Sequence, residues 1–115
     1  MTEVINLKSA EHYTWGTNCD GWHFLNTENL SIIRECVPPD GVEVKHYHEH
    51  ASQFFYILSG VCTMVLGSRT ITMRAGEGCN IAPGTIHQLI NNDSEDLHFL
   101  VISTPKSHGD RVVVP

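Results

Sequence analysis

The chain is 115 residues long, enough for one domain rather than two, and a chain of that size buries about 65% of its unfolded surface without disulfide staples. Seven Lys and Arg against thirteen Asp and Glu leave a formal charge of −6. This excludes a general nucleic-acid or anionic-membrane surface, because either needs a positive field. The longest apolar stretch, Phe54 to Leu58, is far short of the ~20 residues that cross a bilayer. The start, Met1-Thr2-Glu3-Val4-Ile5-Asn6, lacks the basic-then-apolar pattern of a secretion signal, so a cytoplasmic location is expected.

Val, Ile and Thr total 28 residues and Ala only four; β-branched side chains suit pleated strands and lose rotamer freedom in helices. In chain order, residues 1–21 carry Tyr13, Trp15 and Trp22 just beyond, among polar neighbours, and are expected to wrap over the core or onto a partner. Strands are then expected near 22–26, 30–37, 42–48, 53–59, 61–66, 69–74, 79–82, 86–91 and 97–103. They are separated by turn formers such as Pro38-Pro39-Asp40-Gly41, Ser59-Gly60, Gly67-Ser68, Gly76-Glu77-Gly78, Pro83-Gly84 and Asn91-Asn92-Asp93. No stretch holds a helical stripe for three turns, so the expectation is an all-β barrel or sandwich formed by one domain over 1–115. On 53–59, alternation turns Gln53, Phe55, Ile57 and Ser59 inward and Phe54 and Tyr56 outward. Three exposed valines at the end, Val112 to Val114, would be an edge hazard and are expected to pair with a sheet, of this or a second subunit. Cys19, Cys36, Cys62 and Cys79 form no close metal-clip pair and are expected to be reduced.

Eight histidines stand in the chain, and His46, His48 and His50 alternate in Val42-Glu43-Val44-Lys45-His46-Tyr47-His48-Glu49-His50. On a strand over 42–48, Val42, Val44, His46 and His48 share one face and Glu43, Lys45 and Tyr47 the other. With the apolar face inward, two imidazoles project into the barrel ~6.6 Å apart along the backbone. That spacing lets both reach one ion at ~2.0–2.1 Å.

The order of residues from Gly41 to Asn91 resembles the two motifs of the cupin superfamily. His46-x-His48 is followed by four residues, Gln53, six residues and Gly60. Gly76 is followed by five residues, Ala82-Pro83-Gly84, two residues, His87, three residues and Asn91. The sequence departs from the family pattern in three places: Gly41 stands one residue closer to His46, Ala82 replaces a proline, and Gln53 replaces the usual glutamate. The resemblance implies a double-stranded β-helix, the cupin jelly-roll barrel, and one divalent transition metal per chain held by His46, His48, Gln53 and His87. His50 leaves too few residues before Gln53 and is expected at the mouth or in solvent. Gly60, Gly76 and Gly84 are expected as turn glycines.

Three imidazoles and an amide leave a divalent ion its full charge, which favours an anionic ligand. The carboxylate-poor set favours Zn²⁺, Ni²⁺, Cu²⁺ or Fe²⁺ over Mn²⁺. A His/His/Gln/His set is similar to that of small cupins that open unsaturated uronate rings. In those proteins an acidic residue follows the last strand's proline; here Pro105 is followed by Asp110, a candidate proton acceptor, and Arg111, a candidate anchor for a substrate carboxylate. A surface salt link is the competing reading of that pair. Glu35, Arg34, Tyr47, Tyr56 and His98 are further titratable or charged candidates with facing unassigned, and Trp15 and Trp22 are expected as core or lid aromatics. The resemblance thus implies a metal-dependent enzyme on a small anionic or sugar-like substrate, of isomerase, ring-opening or dioxygenase type. The alternative is a non-catalytic module that binds a small molecule. A homodimer is implied by the resemblance and by the apolar outward face.

Overall fold

The structure, a computed structural model, describes residues 3–107 and 109–115. Among the described residues regular structure is strand alone: β1 (Glu11–Trp15), β2 (Cys19–Asn26), β3 (Ser31–Val37), β4 (His46–His48), β5 (Ser52–Ser59), β6 (Val61–Leu66), β7 (Arg69–Arg74), β8 (Gly78–Ile81), β9 (His87–Ile90), β10 (Leu97–Thr104) and β11 (Arg111–Val113). They form two antiparallel sheets of order β1-β2-β3-β10-β5-β8 and β11-β4-β9-β6-β7. Between the sheets lie Val37, Ile57, Met64, Leu89, Leu97 and Phe99, all buried to within 1% of full enclosure. This is the all-β barrel that the turn spacing and β-branched content imply, in the jelly-roll form that the cupin resemblance implies. No described helix is long and apolar enough to cross a membrane.

The pleat places the site. On β5, Gln53, Phe55 and Ile57 point into the barrel while Phe54 and Tyr56 remain 39% exposed, as alternation requires. Register then lines up inward residues across the larger sheet. Gln53 stands opposite Ser103, Ser103 opposite Ser31, and Ser31 opposite Asn26. The next inward row joins Phe55, Val101 and Ile33, and the one after it Ile57, Phe99 and Glu35.

Two expectations need correction. The segment 11–15, read as part of an irregular arm, is the strand β1, paired with β2 from Glu11↔His23 to Trp15↔Cys19. Its charged and aromatic residues hide the alternation because an edge strand with mixed exposure has no clean apolar face. Nor does one strand run from 42 to 48. Val42 makes an isolated bridge to Ile90, the chain leaves the ladder, and β4 begins at His46. Val42 and Val44 are therefore 49% and 53% exposed rather than inward. Glu43 turns in instead, its backbone N–H donating to the Leu89 carbonyl at 2.9 Å. The three-residue step from Glu43 to His46 is what reverses the parity.

The terminal valines pair within the chain: β11 lies along β4, with Arg111 opposite His48 and Val113 opposite His46. All four cysteines are free. Gly60 has φ +88°, and a Cβ there would stand 2.5 Å from the Asp96 carbonyl oxygen, so this corner admits only glycine without displacement.

Candidate metal centre

Three imidazoles converge from the smaller sheet. His46 and His87 are register partners on β4 and β9, with ring centroids 4.4 Å apart. His48, two residues along β4, has its ring 5.0 Å from His46 and 6.1 Å from His87. All three are buried, and one ring nitrogen from each lies within 4.8 Å of the others. Gln53, on β5 of the other sheet, lines the same cavity as His46 and His48.

Each imidazole is oriented by a partner on Nδ1. His46 donates to the Val44 carbonyl at 2.7 Å, His87 to the Thr85 carbonyl at 2.9 Å, and His48 to Asp110 Oδ1 at 2.7 Å. With Nδ1 so engaged, Nε2 is the nitrogen that each ring has left for a ligand role. Burial pushes the His46 imidazole down to about 4, with the nearby His87, Arg111 and His48 adding to the effect against the Val44 bond. Burial also lowers His87. Both rings are thus neutral at pH 7, as a metal ligand must be.

The fit to a cation shows in the atoms left over. His87 Nε2 and Gln53 Oε1 are buried with no hydrogen-bond partner among the described residues. Gln53 spends its amide N–H on Ser103 Oγ at 3.1 Å, which leaves the carbonyl oxygen as its unpartnered atom. Buried acceptors without donors are costly, and a divalent ion coordinated by three imidazoles and an amide oxygen satisfies them together. The residues present fit the group.

Beside this cluster is a cavity of about 200 Å³, walled by Tyr13, Trp15, Phe55 and Val101 and edged by Glu35, Glu43 and Arg111. Burial pushes the Glu35 carboxyl up to about 7, against the opposing effects of the Tyr13 hydroxyl and Arg111. Tyr13 donates to Glu35 Oε2 at 2.9 Å. Burial, then the neighbouring carboxylate, raises the Tyr13 phenol in turn. Glu43 is pushed up to about 8 by burial and by Glu35, with Arg111 and the Leu89 N–H opposing. Its Oε1 lies 3.9 Å from His46 Nδ1.

Asp110 stands behind His48 rather than at the open side of the cluster. Its Oδ2 accepts the backbone N–H groups of His50 and Ala51, each at 2.9 Å. Burial opposes ionisation of Asp110, but the bonds from His48 and the two amides outweigh it and hold the carboxyl below the usual aspartate range. Arg111 lines the cavity. His50 is solvent-exposed, and His98 faces Cys36 on the adjacent strand at 3.6 Å. Of the aromatics, Trp15 packs against the core while Trp22 stacks on His12. Glu43 is the cavity residue that the sequence placed on the wrong face, and the signal needed was the bridge at Val42, which is not local.

A jelly-roll barrel with an imidazole triad on its inner face, able to hold a metal ion, is of the cupin type. Residues 33–103 match the family profile of the cupin domain, and the chain belongs to that family. The oxalate-binding protein of Thermotoga maritima is 27% identical over 85 residues, 70% of either chain. The polyketide cyclase RemF from Streptomyces resistomycificus shares the fold with a TM-score of 0.87 at 18% identity, over 100% of this chain and 87% of that one. KdgF from Halomonas sp. does so at 0.82 and 14% identity, over 90% of this chain and 95% of that one.

Proposed function

We propose that this cupin is a metal-dependent enzyme that moves protons on a small, oxygen-rich anionic substrate, of the isomerising or ring-opening kind rather than the oxygenating kind. The observation that carries the reading is that one small cavity is bordered by an imidazole–amide ligand set, a carboxyl poised near neutrality and a guanidinium. His46, His48, Gln53 and His87 hold the ion, a zinc-, nickel-, iron- or copper-class cation by the softness of the donors. Bound there, it supplies Lewis acidity to a substrate oxygen. Glu35 exchanges a proton with substrate carbon or oxygen, since a carboxyl raised to about 7 is matched to transfer in either direction at neutral pH. Tyr13 fixes the Glu35 carboxyl, and Arg111 pairs with the substrate's carboxylate. Asp110 is a positioning residue acting through His48. Trp15, Phe55 and Val101 keep water from the reacting end. A volume of about 200 Å³ equals roughly seven water molecules, which limits the reacting unit to a small acid or one sugar ring.

The test is solvent exchange. Zinc-, nickel- and iron(II)-loaded protein is incubated in D₂O with a panel of 2-oxo acids and uronates, and C–H loss beside the carbonyl is followed by NMR. Exchange in the wild type, absent in Glu35→Gln at equal metal content, is expected. Oxygen uptake by the iron form without exchange would refute it. The name of the Thermotoga relative favours a second reading, capture of a small dicarboxylate without turnover; oxalate binding with no exchange on any acid would establish that instead.

The chain is further proposed to act as a homodimer. Phe54 and Tyr56 lie exposed side by side on the outer face of β5, an apolar patch of the kind that a second copy covers. A monomer by light scattering would refute this. Four free thiols suit a reducing compartment.

A further inference from the structure

We propose that the groove adjoining the metal cavity is a binding subsite for an uncharged, hydroxyl-rich unit, such as a second sugar ring, joined to the acid that the metal end receives. The head-group half of this rests on the function proposed above; the subsite itself does not.

The first support is a line of polar residues. Gln53, Ser103, Ser31 and Asn26 are successive register partners on β5, β10, β3 and β2. At about 4.8 Å per strand, Asn26 lies roughly 14 Å from Gln53, longer than one sugar ring. The neighbouring inward row runs through Phe55, Val101 and Ile33 and turns polar only on β2, at His23.

A bulge extends the line sideways. Phe24 is the extra residue where the β2–β3 register shifts between His23 and Leu25. It brings His23 and Asn26, three apart in sequence, onto the same side. Both line a groove of about 510 Å³ with Ser31 at its floor. That groove shares Tyr13, Ile33 and Ser107 with the metal cavity.

The groove also holds unspent polar atoms. Ser31 is 2% exposed, yet its Oγ has no hydrogen-bond partner among the described residues, and neither has His23 Nδ1. Such groups are normally satisfied, and a ligand hydroxyl, donor and acceptor at once, suits a serine, an amide and an imidazole together. A second anion does not suit them. The groove's cation, Lys106, is already held by Glu28 at 3.0 Å, and Glu11 forms another part of the wall.

The test compares three acids on zinc-loaded protein by calorimetry: gluconate, lactobionate (gluconate carrying a galactose) and octanoate. Lactobionate is expected to bind at least tenfold more tightly than gluconate and octanoate. Ser31→Ala and Asn26→Ala are expected to remove that advantage while leaving gluconate unchanged. Equal affinities for lactobionate and gluconate, an advantage that survives both substitutions, or octanoate binding as tightly as lactobionate would overturn the subsite. Amide spectra of ¹⁵N-labelled protein separate the two layers. If gluconate does not bind, the metal-centre reading falls. The subsite then stands if lactobionate still shifts the Asn26 and Ser31 amides in the His46→Ala/His87→Ala variant, and falls if it does not.

Discussion

Replacing Glu35 with glutamine isolates the cost of keeping a carboxyl in the cavity. The folded-state value of about 7 against an ordinary 4.5 is a difference of 7 − 4.5 = 2.5 pH units, and at 1.36 kcal/mol per unit this is about 3 kcal/mol. The sign follows from which state releases its proton first. Below pH 4.5 both states are protonated and the residue is neutral to stability. Between 4.5 and 7 the unfolded chain ionises while the folded one does not, so Glu35 makes the protein progressively less stable as pH rises. Glutamine still accepts the Tyr13 hydroxyl but does not titrate. Urea unfolding of chelator-treated wild type and Glu35→Gln at pH 4, 5, 6, 7 and 8 is therefore expected to give curves that coincide at pH 4. They should separate to about 3 kcal/mol in favour of the variant by pH 8. Comparing the two proteins at each pH cancels the carboxyls that do not feel Glu35, and relief of Glu43, which Glu35 pushes up, widens the gap in the same direction. A gap that does not change with pH, or that narrows as pH rises, would refute the placement of Glu35 in a desolvated wall.

Other changes probe the ligand set and its support. Asp110→Asn is expected to weaken zinc binding 10- to 100-fold, the usual effect of losing a carboxylate behind a ligand imidazole, as read by competition with a chromophoric chelator. Gln53→Glu returns a negative charge to the site and should raise the manganese-to-zinc loading ratio under mixed-metal competition, measured by elemental analysis; an unchanged ratio would remove Gln53 from the ligand set. His46→Ala/His87→Ala is expected to retain the fold by circular dichroism while losing metal altogether. Gly60→Ala should cost roughly 1–3 kcal/mol in urea unfolding, because φ +88° is strained for any side chain and the Asp96 carbonyl blocks the Cβ.

Much of this architecture was readable because its signals are local. The turns at Ser59-Gly60 and Gly67-Ser68 bound β6 and set its limits, and the alternation on β5 gave the facing of Gln53 directly. His46 and His48 were legible as a pair because period-two spacing needs only a strand. The same reasoning failed at Val44, where apolar character suggested an inward face. A bridge to Ile90 and a break in the ladder, both set by residues more than forty positions away, decided otherwise and brought Glu43 inside. Glu35 could be named but not faced, because its direction depends on the pairing of β3 with β10. Asp110 could be named from its position after Pro105 as a candidate proton acceptor but not placed behind His48, because that bond spans 62 residues and exists only because β11 lies along β4.

That last pairing ties the tail of the chain to the occupancy of the centre. β11 is the edge of its sheet and only three residues long, so on its own it would fray readily. Yet it carries Arg111 and follows Asp110, which steadies His48. By linkage, whatever affinity the ion gains from a docked tail, the docked tail gains from the ion. The amides of Val112 and Val114 should therefore exchange with solvent more slowly as metal is added. A substitution that loosens β11 should likewise lower zinc affinity although it removes no ligand.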